Sequence, residues 1–484
     1  MKGCLIALAV ALAQWPVLAA EVAVNFDKPL QDWDGFGVNY VEASQTRDYA
    51  KWPQDYGGFS TLSETKRQEI IQAIFGEDGL KPGIVKMFLD SLHEGMDKRG
   101  NDNDDPMRIN LAGYDHERTT GNMRSFVREG LKRTRAGGRD LVIIATMYGP
   151  PPWTTRQKIV RGRDMDPAEK REAAEYLASW AKFLKEKEGF PVKYVSLHNE
   201  GEARNCWPAD GTDNPDHAKH DYNMYWPPEQ VVEFLTLVRD VLDKNGLQDV
   251  GVTPGEPSHW ELFTPYAEAI ANNAAALKNI ALITSHGFRD ATYGPFVVLQ
   301  KKRPELHAWT TSATWGKMTY DWLDRMRGQI YNARINAFIP WAAVQRHSQW
   351  VGGDPNPGTA FYVDDKGNYE IRRGYYQYKQ ICPAGQPGMK VATVSSSDAN
   401  VSLMAFASNG TKNPDAFVVF NKSQNPADLN IAVTGTKSTK FSMTRTIMDE
   451  KNVENCVKHD DVEVRGGKIE YKAPALSITT FYGK

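Results

Sequence analysis

Charge of one sign is missing from this sequence: 58 Lys and Arg stand against 60 Asp and Glu, a formal net charge of −2. No basic tail or stripe is present to hold a phosphate backbone, which argues against nucleic-acid binding. Cysteine is scarce, with 4 in 484 residues, and the spacing of those four fits no zinc pattern. The Asp- and Asn-rich segment 97–110 lacks the ligand spacing and closing Glu of an EF-hand, so it is read as a polar loop. Neither a metal nor an organic cofactor is therefore expected. Beyond the N-terminus no apolar run is long enough to span a bilayer, and neither short repeats nor low-complexity segments occur.

What the chain does have begins at its N-terminus. Lys2 precedes an apolar run from Leu5 to Leu12, and Val17-Leu18-Ala19 follows with small residues near a cleavage point. This predicts a secretory signal peptide over residues 1–20, hence an exported protein. Its removal leaves Cys206, Cys382 and Cys456, an odd number. Cys382 and Cys456 are the pair open to a bridge in an oxidising compartment, and the fate of Cys206 is open. The 13 Trp are numerous enough for two uses, core packing and stacking on the C–H faces of sugar rings.

Between about residues 35 and 345 a strand followed by an amphipathic helix recurs. Strand-like runs end near Asn39, Asp90, Tyr148, Glu200, Glu256, His286, Ser312 and Trp341. Several, such as Leu141–Ala145 and Ile280–Ile283, are continuously apolar, as expected for strands buried on both faces. Between them, Ala168 to Lys187 and Glu229 to Lys244 carry apolar residues at helical spacing, the second bounded by Pro227-Pro228 and Gly246. Eight such units predict an α/β fold, a (β/α)₈ barrel, over residues 21–373. From about Gly374 short alternating runs such as Val401–Phe406 and Ala416–Phe420 predict a β-sandwich over 374–484.

Chemistry in such a barrel sits at the C-terminal strand ends. The fourth strand ends in His198-Asn199-Glu200, a carboxyl beside an amide, suited to protonating a glycosidic oxygen while holding a ring hydroxyl. Around it stand Asp34-Gly35-Phe36-Gly37, Tyr148-Gly149-Pro150-Pro151-Pro152-Trp153, His286-Gly287-Phe288, Gly374-Tyr375-Tyr376-Gln377-Tyr378 with Gln380, Pro387-Gly388-Met389 and the final Leu476–Phe481. Taken in order these motifs resemble glycoside hydrolase family 30, and the likeness runs through nearly the whole mature chain. The resemblance implies a retaining β-glycosidase with Glu200 as acid/base and a carbohydrate substrate. By their position at the strand ends, Trp153, Tyr148, Trp315 and Trp341 are candidates either to stack on sugar or to pack the barrel top, His286 either to hydrogen-bond a carboxyl or sugar or to serve structurally, and Asn199 to hold a ring hydroxyl.

The same resemblance places a nucleophilic Glu where this chain has Ser312, in Trp309-Thr310-Thr311-Ser312. A serine there cannot stabilise an oxocarbenium ion as a carboxylate does. Glu256, ending the fifth strand, is the candidate to serve as a base on water instead, with Asp90 and Glu202 behind it. Two readings stand: a secreted hydrolase of β-linked sugars, or a barrel that binds glycans after losing its nucleophile.

Overall fold

The computed structural model describes residues 19–42, 57–89, 91, 105, 107–158, 162–202, 223–289, 293–315, 320–346, 359–447 and 453–484. Most of the expected signal peptide, Asp90, Cys206 and much of segment 97–110 lie outside them. The chain opens with strand β1 (Ala20–Asp32) and then enters the barrel at β2 (Gly35–Asn39). The barrel continues through β3 (Ile84–Leu89), β4 (Val142–Met147), β5 (Val192–Ser196), β6 (Gly251–Thr253), β7 (Ile283–Ser285), β8 (Ala308–Thr314) and β9 (Ala337–Trp341). These eight strands run parallel in the order β6-β5-β4-β3-β2-β9-β8-β7. A parallel bridge from Val252 to Ile280 closes the ring.

Helices alternate with the strands: α1 (Glu64–Phe75), α2 (His116–Ala136), α3 (Lys170–Glu186), α4 (Pro228–Lys244), α5 (Thr264–Ala271), α6 (Ala274–Asn279), α7 (Val297–Gln300) and α8 (Tyr320–Gly328). Each strand sends alternate residues inward and outward. On β3, Val85, Met87 and Leu89 join the layer under the helices, while Ile84 packs with Ile144, Leu282, Trp309, Ala337 and Ile339 in a second cluster. Lys86 shares the parity of Ile84 and Phe88, so it points inward with them. No helix among the described residues is long and apolar enough to cross a membrane.

After β9 a small sheet of β10 (Val344–Gln345), β11 (Phe361–Val363) and β12 (Tyr369–Ile371) leads to α9 (Arg373–Ile381). The helix corrects the expectation that helical structure ends near Gly374. Its Tyr378 hydroxyl donates to Gly37 O at 2.9 Å and Phe338 O at 3.3 Å, so α9 belongs to the barrel's outer layer over β2 and β9.

The β-domain adds β13 (Lys390–Ser396), β14 (Val401–Ala407), β15 (Ala416–Asn421), β16 (Ala427–Thr434), β17 (Lys440–Ile447), β18 (Glu454–Glu463), β19 (Lys468–Ala473) and β20 (Ser477–Gly483). Its sheet order is β18-β17-β20-β15-β14-β13-β1-β16-β19. Strand β1, which the sequence reading left with the barrel, lies within it, antiparallel to β13 and parallel to β16. The inward faces converge on Val22, Val24, Phe26, Leu403, Phe417, Val419, Ile431, Phe441 and Phe481. The alternate residues Met404, Phe406, Val418 and Phe420 pack into the barrel's own core. Cys382 and Cys456 are both free thiols, so the expected bridge is not formed. Cys456 instead meets Tyr376 O at 3.4 Å and the Thr446 hydroxyl at 3.5 Å.

Candidate active site at the C-terminal end of the barrel

Lys86 is the residue around which the site is built. It is wholly buried in the barrel interior, and a charge there needs a partner. Glu256, just past β6 and equally buried, supplies it in a close ion pair. The Glu256 carboxylate also accepts the Thr146 hydroxyl at 2.5 Å and the Thr311 hydroxyl at 2.8 Å, with His286 Nε2 3.4 Å away. Burial alone would raise its pKa, but Lys86 and then His286 outweigh it and hold the carboxyl far below the usual range. The sequence reading missed Lys86, Thr146 and Thr311. One signal was available: a single lysine at an inward position of an otherwise apolar strand demands a buried counter-charge.

Ser312 lies near the end of β8, within reach of this cluster. Its hydroxyl lies 3.0 Å from Lys86 Nζ and 3.5 Å from Asn39 Nδ2. The β8–β9 register shifts between Thr310 and Ala313, and such a bulge brings consecutive residues to one side. Thr311 and Ser312 thereby both reach the cluster.

Glu200 follows β5 at a left-handed backbone angle, φ 43°. Its N–H donates to Glu256 O at 2.9 Å, and the Glu256 N–H to His198 O at 2.9 Å, tying the two strand ends together. His286, ending β7, stands between the two carboxyls, with Nδ1 2.9 Å from Glu200 Oε1. Burial would lower the His286 pKa; hydrogen bonds to Glu200 and then Glu256 overcome it and raise it. Lys86, Glu256, His286 and Glu200 thus form a row in which basic and acidic side chains alternate across the strand ends.

Glu256 does not have the surroundings of a base acting on cleft water. Its side chain is 0% exposed against 14% for Glu200, and the gap between them holds an imidazole. A strongly ion-paired carboxylate is also a weak base. Behind this pair, buried His198 has its pKa pushed down to about 3 by desolvation and stacks on Trp226.

The remaining candidates divide. Asn199 is buried, its amide 3.0 Å from that of Asn223. Tyr148 and Trp341 pack edge-on at 5.4 and 5.5 Å against Phe88, whose ring Lys86 Nζ meets at 4.7 Å, and Trp153 is nearly buried. Trp315 is 0% exposed and packs on Tyr378 of α9, which makes it core rather than a sugar platform.

The chain thus combines a parallel (β/α)₈ barrel, a β-sandwich on its flank and a carboxyl cluster at the barrel's strand ends. No family model matches the sequence, and no curated protein matches it. Solved structures do match. A family 30 xylanase C catalytic domain from Talaromyces cellulolyticus superposes with TM-score 0.72 at 17% identity, over 96% of this chain and 100% of that one. A family 30 endoxylanase from Clostridium papyrosolvens gives 0.65 at 18% identity, over 96% and 100%. An endo-β-1,6-glucanase gives 0.68 at 15% identity, over 96% and 94%. The likeness is one of fold.

Proposed function

We propose that the protein is an exported glycoside hydrolase acting on β-linked sugars, with Glu200 as the group that protonates the departing oxygen. One observation carries the reading: Glu200 is the partly exposed end of an otherwise sealed network that fixes its carboxyl by His286. Asn199 and the aromatic residues Tyr148, Trp153 and Trp341 surround the sugar. With Ser312 on β8, this strand supplies no carboxylate to form a glycosyl-enzyme. Water then attacks C1 as the C1–O bond breaks and Glu200 gives its proton to the leaving oxygen; the proton shed by the attacking water passes to solvent, from which Glu200 is reprotonated, and the product is inverted.

The experiment is release of reducing sugar from β-linked xylans, glucans and galactans and from aryl glycosides, comparing wild type with Glu200→Gln. Loss of about 10²–10⁴-fold is expected in the variant. The same Ser312 favours a second reading, a barrel that binds glycans without cleaving them. Wild type that releases nothing from any substrate yet binds a glycan by calorimetry would replace the first reading with the second.

A further inference from the structure

Asn39 and Ser312 meet at the barrel top, each with one hydrogen-bonding group left over. Asn39 ends β2 in register with Lys86 on β3, and its side chain is wholly buried. Nδ2 donates to Thr311 O at 2.8 Å and Pro340 O at 3.3 Å, with the Ser312 hydroxyl at 3.5 Å. Acceptors around the nitrogen fix which way the amide faces. Its other end, Oδ1, is buried with no hydrogen-bond partner among the described residues. Buried polar atoms are nearly always paired, so this oxygen calls for a ligand that donates.

Ser312 is 2% exposed and has the complementary deficit. Its oxygen accepts from Lys86 Nζ at 3.0 Å and, more loosely, from Asn39 Nδ2. Both partners are donors, so the hydroxyl's own proton has no acceptor among the described residues. The ammonium also polarises that O–H and strengthens it as a donor. An amide's oxygen and nitrogen are about 2.3 Å apart, so Asn39 Oδ1 and Ser312 Oγ are separated by at most about 5.8 Å. Two hydrogen bonds of ordinary length through one oxygen span up to about 6 Å. A group that accepts from one and donates to the other is a hydroxyl or a water; an anion would meet the lone pairs of Oδ1.

The pair lies across the barrel from the acid. β2 and β8 are the two strands that flank β9. In the ring closed by Val252 and Ile280, β9 is four strands from β5 in either direction, hence opposite the strand that presents Glu200. Inverting hydrolysis needs acid and attacking water on opposite faces of the sugar.

We propose that Asn39 Oδ1 and the Ser312 hydroxyl hold the water that attacks C1, an inference that rests on reading Glu200 as the acid. The water accepts from Ser312 and donates to Asn39, which leaves one lone pair and one proton towards the cleft. The lone pair forms the bond to C1 as the C1–O bond breaks and Glu200 protonates the leaving oxygen. The water's proton passes to solvent, because a neutral amide oxygen aims the water without deprotonating it.

The test compares kcat and KM of wild type, Ser312→Ala, Ser312→Thr and Glu200→Gln on phenyl and dinitrophenyl β-xylosides, glucosides and galactosides. Dinitrophenolate departs without a proton, so Glu200→Gln should regain rate on it. Ser312→Ala should not: its kcat is expected to fall about 10–100-fold on both leaving groups, with KM within about twofold of wild type. Ser312→Thr keeps a hydroxyl and should recover most of the loss. A loss confined to the phenyl substrate would mean that Ser312 acts through Glu200. A raised KM at unchanged kcat would mean that the pair holds a sugar hydroxyl. Either result overturns the proposal, as does an unchanged kcat and KM. A crystal structure of wild type should show an oxygen within about 3.2 Å of both atoms, and its absence also overturns the proposal. Full turnover of the phenyl glycoside by Glu200→Gln would remove the acid reading alone, because Ser312→Ala on the dinitrophenyl substrate still decides the water. Wild type inert towards every substrate removes both.

Discussion

At the scale of single residues the site is a problem in buried charge. Lys86 and Glu256 are both fully buried, and removing one member of such a pair typically costs about 3–5 kcal/mol because the other is left uncompensated. Lys86→Met is therefore expected to lower unfolding free energy by about that amount at pH 7, read by urea denaturation. In wild type, the depressed Glu256 pKa gives stability that is present above the ordinary carboxylate value of 4.5 and lost as pH falls through the folded value. Without Lys86 the sign reverses, since burial then raises the Glu256 pKa above that of the unfolded chain. The defect of Lys86→Met should accordingly shrink at pH 4. An equal defect at both pH values would mean that Glu256 is not the group left unpaired. Ser312→Glu makes the complementary test. Its carboxylate would enter beside Lys86 and Asn39, already 3.0 and 3.5 Å from the Ser312 hydroxyl. Hydrolysis of an aryl β-glycoside should rise by at least about tenfold and change from inversion to retention, followed by NMR of the first-formed anomer. A folded variant with unchanged rate and stereochemistry would remove Ser312 from the reaction site.

At the scale of elements, the turn after β6 decides where Glu256 sits. Gly255 has φ +99°, and a Cβ added there would collide with the His198 ring. Gly255→Ala thus combines a backbone penalty of about 1–3 kcal/mol with displacement of a buried imidazole. The expected result is a loss of at least about 2 kcal/mol in denaturant unfolding and a weakened Glu256–His286 contact, visible as a lowered His286 titration by NMR. All eight barrel strands were legible in the sequence, because apolar runs bounded by polar ends mark strands buried on both faces. Glu200, Asn199, His286 and Ser312 were legible as strand ends for the same reason. Other features depend on partners distant in sequence. The sealing of Glu256 required Lys86, which lies 170 residues away and reads locally as one polar residue in a run. Helix α9 was hidden because its buried residues Tyr375, Gln377, Tyr378 and Gln380 mix aromatic and polar types. Its face is defined by what it touches: carbonyls of β2 and β9 on one side, Thr444, Thr446 and Thr480 of the sandwich on the other.

At the scale of the whole molecule, barrel and sandwich are joined by more than a covalent link. Strand β1 precedes the barrel yet fills the gap between β13 and β16, so the sandwich closes only with a segment from the far end of the chain. Trp33, Phe36, Phe406 and Tyr378 then interlock across the junction, and Trp33 Nε1 donates to Gly385 O at 2.9 Å. Arg327 and Tyr331, on the barrel side, hydrogen-bond main-chain groups of β13 and β14. One face of the sandwich packs into the barrel's core while the other closes on a core of its own, so unfolding of the sandwich should strip the barrel of that cover and take it along. The chain carries its own reporter, since all 13 Trp lie at or before residue 350 and none in residues 374–484. Val24→Asp places a charge in the sandwich core, where Val24 is 1% exposed, and should cost about 3 kcal/mol or more. Although no tryptophan lies within β1 or residues 374–484, the fluorescence transition of this variant should move to lower urea together with the far-ultraviolet circular dichroism. If the dichroism moves alone and the fluorescence midpoint stays at the wild-type value, the two domains unfold separately, and the shared aromatic junction is not what binds them into one cooperative unit.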